Sequence, residues 1–558
     1  MNLLIDNKRI IAVIPARGGS KGIPRKNVRF MAGKPLIAYS IENALASSYI
    51  DEVVVSTDDD EILHVAETFG AEVTKRPDHL AEDDVPLDPV INHAVMAKEE
   101  NTDYQIVITL QPTSPLLKSI TIDKAIKEFA DSNCDTLLSV VDERHLTWTK
   151  QNGEYIPNYD ERKNRQFLPP NYLETGGILI AKRSCVNKNS RFGDKINLIE
   201  VPKEESIDID TKMDWWVAEK LLEIKKILIR VDGYKRIGLG HIYRTLLLAN
   251  RLVDHDFIFV SNAEYKLGIN MIKDHNYDIK TFNDFDEYEE IIKEYNPDIV
   301  INDILDTENN YIQYLKENNI FVVNFEDMGS GAKSADIVIN ALYDEKYPLE
   351  NHYWGKDYYC LREEFQLVPK KEIDKEIKDI LITFGGTDSH NYTERLINIL
   401  KDSSVDLQKV KINIVLGLGY ENKNKLEDLV ENINLDISIM QNIKNISKYM
   451  YQADLVFTSA GRTIYELASI GTPTIVLAQN NRELRHRFAN SENGIVNLGL
   501  GYEVTDREIK ETFENIVNDY ELRKRCNKLM LKNDLRSGVD NVLKVIFEGY
   551  DEYKKEEI

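Results

Sequence analysis

The stretch that decides the fold spans residues 10–27, IIAVIPARGGSKGIPRKN. Residues 10–14 form a short apolar, β-branched run, the pattern of a parallel strand buried on both faces. The run breaks into a glycine-rich basic loop, Arg17-Gly18-Gly19-Ser20-Lys21-Gly22, followed by Pro24, Arg25, Lys26 and Asn27. Glycines let backbone N–H groups approach an anion closely, and clustered cations answer a polyanion. The lysine lacks the GxxxxGK[ST] spacing of a Walker A loop. A strand followed by a basic surface turn would share this composition, so the neighbouring segments decide.

Outward from the loop, residues 37–47 are patterned as a helix and Val53, Val54 and Val55 as a second strand ending in Ser56-Thr57-Asp58. A helix over 62–69 closes at Gly70, and a third strand begins at 72–74. This alternation predicts a doubly wound, Rossmann-like parallel sheet with ligands at the C-terminal ends of its strands. Residues 106–110 are another buried strand, running into the proline-framed turn Gln111-Pro112-Thr113-Ser114-Pro115-Leu116. Further on stand Arg165-Gln166-Phe167-Leu168-Pro169 and Ser206-Ile207-Asp208-Ile209-Asp210-Thr211. On a strand, Asp208 and Asp210 share one face, a placement that suits Mg²⁺ bound through two carboxylates and phosphate oxygens. A half-buried strand without a ligand would alternate in the same way.

Taken together, the glycine loop, LQPTSPL, RQFLP and IDIDT resemble, in this order, the motifs of the acylneuraminate cytidylyltransferases. The resemblance implies a nucleotidyltransferase domain over residues 1–225 that uses CTP and Mg²⁺. CMP passes to the anomeric hydroxyl of a nonulosonic acid, a 2-keto sugar acid of sialic, legionaminic or pseudaminic type, and pyrophosphate leaves. It implies Arg17 and Lys21 as catalytic cations, with Arg17, Gly18, Gly19, Ser20, Lys21, Lys26, Asn27 and Gln111 on the nucleotide. Gln111, Arg165 and Gln166 would meet the sugar, and Asp208 and Asp210 the metal. An arginine there suits a carboxylate, which a guanidinium binds bidentately. Residues 174–178 and 83–87 depart from the family's usual strings, so the sugar's identity stays open. Such enzymes form homo-oligomers, commonly dimers.

Composition narrows the setting. The 558 residues suffice for two to four domains, and 94 acidic against 70 basic residues give a net charge of −24. So acidic a chain is a poor non-specific binder of nucleic acid or anionic membranes. Cys134, Cys185, Cys360 and Cys526 lie far apart with no CxxC pairing, as in a reducing cytoplasm. The N-terminal MNLLIDNKRI carries charges within its only apolar run, unlike a signal peptide, and no run reaches the roughly 18 apolar residues of a membrane span. A cytoplasmic enzyme is the expectation.

A fresh strand begins at 227–231 and breaks into a loop ending Gly238-Leu239-Gly240-His241-Ile242-Tyr243-Arg244. A histidine near a helix N-terminus tends to stay neutral, as a general base requires. This half resembles the UDP-sugar hydrolases of pseudaminic acid synthesis and the related spore-coat polysaccharide proteins, which carry an IG-x-GH-x-x-R motif. The resemblance implies a two-lobed GT-B-type architecture, with lobes over 226–343 and 379–558 joined by a crossover at 344–378. It implies a UDP-sugar substrate and His241 as the base. Gly240, Gly385, Gly386 and Thr387 would hold the nucleotide diphosphate, and Glu466 the ribose. Tyr465 stands where the hydrolases tend to carry asparagine, and Asp303 is followed by apolar Ile304 and Leu305. Hydrolysis, glycosyl transfer and binding without catalysis therefore stay open for this half. The tail 551–558 reads as a solvated helix end.

Overall fold

A computed structural model describes residues 8–19, 22–99, 102–234, 239–345, 348–386, 388–417, 419–441, 443 and 445–556. Its two compact units are Met1–Ile224 and Lys225–Ile558. Ser20, Lys21 and Thr387, each an expected phosphate contact, lie outside the described residues.

The first unit is built on one seven-stranded sheet. In spatial order its strands are Ile196–Glu200, Thr136–Asp142, Tyr172–Lys182, Ile106–Leu110, Ile10–Pro15, Glu52–Thr57 and Glu72–Lys75. Every residue of Ile10–Pro15 is buried, as the run IIAVIP requires of a strand covered on both faces. Tyr172–Lys182 departs from the parallel expectation by pairing antiparallel with both neighbours, with a register irregularity between Glu174 and Leu179. Sequence order reverses between Ile10–Pro15 and Ile106–Leu110, so the glycine loop and the Gln111 turn leave the same edge in opposite directions. Such a switch point leaves a crevice for ligands.

The second unit holds two parallel sheets of the doubly wound kind. The first lobe runs Ile279–Phe282, Asp256–Asn262, Lys226–Val231, Ile299–Asp303, Phe321–Phe325, Ile337–Asn340 and His352–Trp354. The second runs Asp436–Gln441, Lys411–Leu416, Asp379–Ile382, Leu455–Thr458, Thr474–Ala478 and Val496–Leu500. The sheets reverse beside Lys226–Val231 and Asp379–Ile382, the strands that feed the His241 and Gly385 loops.

Two boundaries differ from the sequence reading. The first lobe's sheet takes in His352–Trp354, inside the stretch read as crossover. The last helix, Gly538–Glu556, follows the second lobe in sequence but packs on the first. Val539, Val542, Ile546 and Tyr550 share a core with Ile227, Ile301, Phe321 and Ile337. Gly538 admits this return because any Cβ there would stand 2.0 Å from the Tyr359 carbonyl oxygen. The tail is not a solvated end either: Tyr553 packs 5.5 Å from Phe321 and lies under the Lys316 ammonium. Among the described residues no helix is long and apolar enough to cross a membrane.

Ile546→Ala should therefore cost the second unit about 2–5 kcal/mol, as truncation of a fully buried isoleucine does. Denaturant unfolding of the full chain, following the second unit's transition, checks this.

Candidate active sites

In the first unit the loop after Ile10–Pro15 faces a cavity of about 400 Å³ whose walls include Arg17, Lys26, Asn27, Arg76, Gln111 and Asp210. Arg17 pairs with Asp83 at 2.8 Å and reaches the Glu82 carbonyl at 3.4 Å. The Asn27 amide donates to the Arg17 carbonyl at 3.0 Å, while its Oδ1 is buried with no hydrogen-bond partner. The Gly18 N–H donates to Asp58 at 3.2 Å, and a Cβ on Gly18 would meet the Asp59 carboxylate at 2.5 Å. Around Gly19 a Cβ would meet nothing within 4 Å, so that stretch of backbone is open. Arg25, part of the basic run, is turned away and spent on Asp59 and Glu61.

The acidic segment is not the strand that its alternation suggests. Residues 207–210 are an extended connector, tied to the Gln111 turn through the Ile209 N–H and the Thr113 carbonyl at 2.9 Å. Thr211 then caps the helix Lys212–Leu222, with Asp214 completing a capping box. The pattern that reads as a strand is thus the lead-in to a helix, and its two carboxylates sit in different surroundings. Asp208 is half-buried with an unpartnered, buried Oδ1; burial raises its pKa, and the Asp210 charge adds to the shift. Asp210 is exposed, 3.5 Å from the Lys26 ammonium, which also donates to the Ile209 carbonyl. Asp208 nonetheless faces the same corner as Gln111, since a Cβ on Gly176 would stand 3.1 Å from the Gln111 amide nitrogen and 4.0 Å from an Asp208 oxygen.

The structure thus brings Arg17, Lys26, Asn27, Gln111 and Asp210 to one cavity, with Asp208 behind Gln111. Arg165 and Gln166 do not line it: they sit on the exposed turn Arg165–Phe167, where Arg165 lies 3.6 Å from Glu143. Arg76 escaped the sequence reading. It is buried at the end of the third strand, donates to the Ser56 carbonyl at 2.8 Å, and is held below the usual guanidinium range by that burial. Its only sequence signal was its place just past a strand's C-terminal end. Among the described residues no cluster of three or more His, Cys, Asp or Glu side chains could hold a metal.

In the second unit His241 is the second residue of the helix Gly240–Arg251, at the mouth of the first lobe's switch point. Its Nδ1 pairs with Asp303, the last residue of the adjoining strand. One turn along, Arg244 forks onto both Asp303 oxygens at 2.6 Å and reaches Glu326 at 2.9 Å. Burial opposes the Asp303 charge, but Arg244 and His241 outweigh it and hold the carboxyl far below the usual range. An ionised carboxylate only accepts hydrogen bonds, so Nδ1 of His241 carries a proton toward Asp303, and whenever the ring is neutral Nε2 is the acceptor. Glu326, at φ +53°, keeps one buried oxygen without a partner, and burial raises its pKa. Sequence reading noted Arg244 and Asp303 but gave neither a role; their partnership is long-range.

Gly240 packs beneath Arg462 of the second lobe, where a Cβ would stand 2.9 Å from that side chain. Gly385, at φ +74°, and Gly386 border open space, with nothing within 4 Å of a Cβ on either. Glu466 is buried, and one of its oxygens accepts from Arg362 at 2.7 Å, so an interior guanidinium already engages the expected ribose ligand. Tyr465 is stacked between Tyr359 and Phe488, at 4.1 and 4.3 Å, and belongs to the core.

With this geometry in hand, comparison with known proteins is direct. A family model described as Cytidylyltransferase matches residues 11–170. The pseudaminic acid cytidylyltransferase of Campylobacter jejuni is 33% identical over 231 residues, covering 40% of this chain and 97% of its own length. The first unit belongs to the cytidylyltransferase family. The N-acylneuraminate cytidylyltransferase of Escherichia coli is 28% identical over 434 residues, 75% of this chain and 93% of its own. The second unit carries a glycosyltransferase-type domain: the model described as Glycosyltransferase family 28 C-terminal domain matches residues 380–544. The crystal structure of Acinetobacter baumannii MurG aligns over 58% of this chain and 99% of its own, with 17% identity and a TM-score of 0.45.

Asp303→Asn should destabilise the second unit by about 3–5 kcal/mol, the usual cost of removing one partner from a buried charge pair. Because the folded carboxyl is held low, its stabilisation is present above an unfolded value of about 4 and is lost as pH falls below it. The variant should show a shallower loss of stability on acidification, read from urea midpoints between about pH 6 and pH 3.

Proposed function

We propose that the first unit transfers CMP from CTP to a nonulosonic acid of sialic, legionaminic or pseudaminic type. The observation that carries this reading is the convergence of Arg17, Lys26, Asn27, Gln111 and Asp210 on one cavity at the sheet's switch point. The sugar's anomeric hydroxyl attacks the α-phosphate and pyrophosphate leaves. Arg17 and Lys26 put two cations where phosphate charge gathers, and the open backbone at Gly19 lets a phosphate approach. The Asn27 amide is fixed by the Arg17 carbonyl, which ties the loop's shape to the position of the arginine. Gln111, held at the strand end beside Gly176, orients the nucleotide or the sugar. A divalent cation fits here, because Asp208 keeps an unpartnered oxygen and Asp210 adds a second hard donor. When bound, Mg²⁺ would offset the charge on the phosphate oxygens. Positioning and charge, rather than a covalent intermediate, do the work.

For the second unit we propose hydrolysis of a UDP-sugar. Nε2 of His241, its tautomer fixed by Asp303, takes a proton from the attacking water, and the glycines 385 and 386 approach the diphosphate. Glycosyl transfer is the second reading, favoured by the family 28 match over 380–544; there the same nitrogen takes the proton of an acceptor hydroxyl.

Asp208→Asn should lower CTP-dependent pyrophosphate release, measured with N-acetylneuraminate and pseudaminate as acceptors, by about 100-fold or more. Unchanged turnover would sink the metal assignment. For the second unit, UDP release from UDP-sugars should disappear in His241→Ala. Free sugar as co-product marks a hydrolase, a glycosylated acceptor marks a transferase, and loss of neither reaction in the variant removes His241 from the mechanism.

A further inference from the structure

The first lobe of the second unit carries Arg244, which is buried, and Arg230, which is half-buried with a buried Nε, and among the described residues only Arg244 is held in ion pairs. Arg244 is neutralised by Asp303 and Glu326. Arg230, on the strand Lys226–Val231, makes no ion pair among the described residues, and its Nε is buried without a hydrogen-bond partner. Its guanidinium is instead boxed by rings, 4.5 Å from the Tyr311 centroid, 4.8 Å from Tyr288 and 5.3 Å from Phe282. Those rings are pinned: Tyr288 and Tyr311 share a 2.8 Å hydrogen bond, and Tyr311 donates to Asn302 at 2.6 Å. Cation–π contacts hold a guanidinium in place but supply no negative charge. The acid that couples to it, Asp232, forms no ion pair with it; burial raises the Asp232 pKa and the Arg230 charge lowers it.

The arginine is not sealed in. It forms part of the wall of a cavity of about 400 Å³, together with Phe285, Ile304, Thr307, Tyr311 and Tyr314. The cavity opens at the C-terminal ends of Lys226–Val231 and Ile299–Asp303, the strands that flank the switch point and carry the Asp303 carboxylate. Flat aromatic walls suit the C–H faces of a sugar ring. A half-buried, fork-shaped cation suits one carboxylate, which it binds through two parallel hydrogen bonds. The rim carries Asp306 and Glu308, both exposed; they accept from hydroxyl or amide groups and repel a ligand with several negative charges. That rim selects a monoanion over a phosphate ester or a nucleotide.

We propose that this cavity is a binding site for a monocarboxylate sugar, seated with its carboxylate on Arg230 and its ring against Phe285 and Tyr314. The second unit would then recognise the same chemical class as the substrate proposed for the first. The inference stands on the uncompensated arginine and its cavity, and does not rest on the reading of the first unit.

The test is hydrogen–deuterium exchange of the full chain, alone and with N-acetylneuraminate, glucose 6-phosphate or N-acetylglucosamine. N-acetylneuraminate should slow exchange in peptides spanning 299–314, and the other two should not. Arg230→Met keeps the aliphatic stem in the ring box and removes the charge; it should weaken that protection about tenfold or more in concentration. Phe285→Ala, at an exposed position on the wall, should weaken it while leaving Arg230 and the fold in place. The proposal is overturned by no protection over 299–314, by protection that survives Arg230→Met, or by protection from glucose 6-phosphate or N-acetylglucosamine in place of N-acetylneuraminate. CTP-dependent pyrophosphate release by Arg230→Met should match the wild type, which separates failure here from failure of the first unit's reading.

Discussion

A parallel sheet whose sequence order reverses must send two neighbouring connections to opposite faces, and the gap between them cannot be filled by either. Each large sheet of this chain has such a reversal, beside Ile10–Pro15, Lys226–Val231 and Asp379–Ile382. All three are buried strands of β-branched and apolar residues, so they cannot shift register or tilt to close the gap. The glycine loops that follow them are the consequence. Backbone has to turn sharply at a point that no side chain can cover, and polar groups gather there because the crevice is wet. Candidate chemistry therefore sits at the same topological place in each sheet without any similarity between the loops.

What fills each crevice differs in its electrostatics. In the first unit the ion pairs reach the surface: Arg17 pairs with Asp83, and the largely covered Lys26 pairs with the exposed Asp210. Surface pairs of this kind are worth little to stability, so under the proposed nucleotidyl transfer a triphosphate would replace the partners at small cost. In the second unit Arg244, Asp303 and Glu326 are fully buried, and breaking one link leaves an uncompensated charge in the interior. That network ties the His241 ring to Asp303 through Nδ1. The ion pairs of the first cavity reach the surface, and those around Asp303 lie in the interior.

Much of this was legible in the sequence, because fully buried parallel strands advertise themselves. The runs IIAVI, VVV, IVITL and ILIRV each became a strand, and the glycine-bearing loops beyond them reach the sheet edges. The α/β class followed from their alternation with helices. What stayed hidden depends on partners far apart in the chain. The last helix looks like any amphipathic helix, and nothing local says that its apolar face is owed to a sheet formed far earlier in the chain, by strands that include Ile227 and Ile337. IDIDT fits a strand and a helix lead-in equally well until Thr211 and Asp214 are seen to close a capping box. Arg76 and Glu326 carry no motif, and only the fold reveals that they are buried. Tyr465 was a departure from a pattern in sequence and is a filled stack in space.

The two inward-facing arginines of the first lobe show why burial alone does not mark a site. Arg244 is the more deeply buried and has more charge around it, yet its environment is complete, with every guanidinium nitrogen donating to a carboxylate. Arg230 is surrounded but not answered. Proteins tolerate a buried cation when neighbouring groups or a ligand restore its lost hydration. Aromatic faces restore part of it, and here they do so while leaving the Arg230 Nε without a hydrogen-bond partner. A guanidinium held by its faces, with an edge toward a cavity, is thus oriented in advance for a planar anion. The same residue placed between two carboxylates would have been inert.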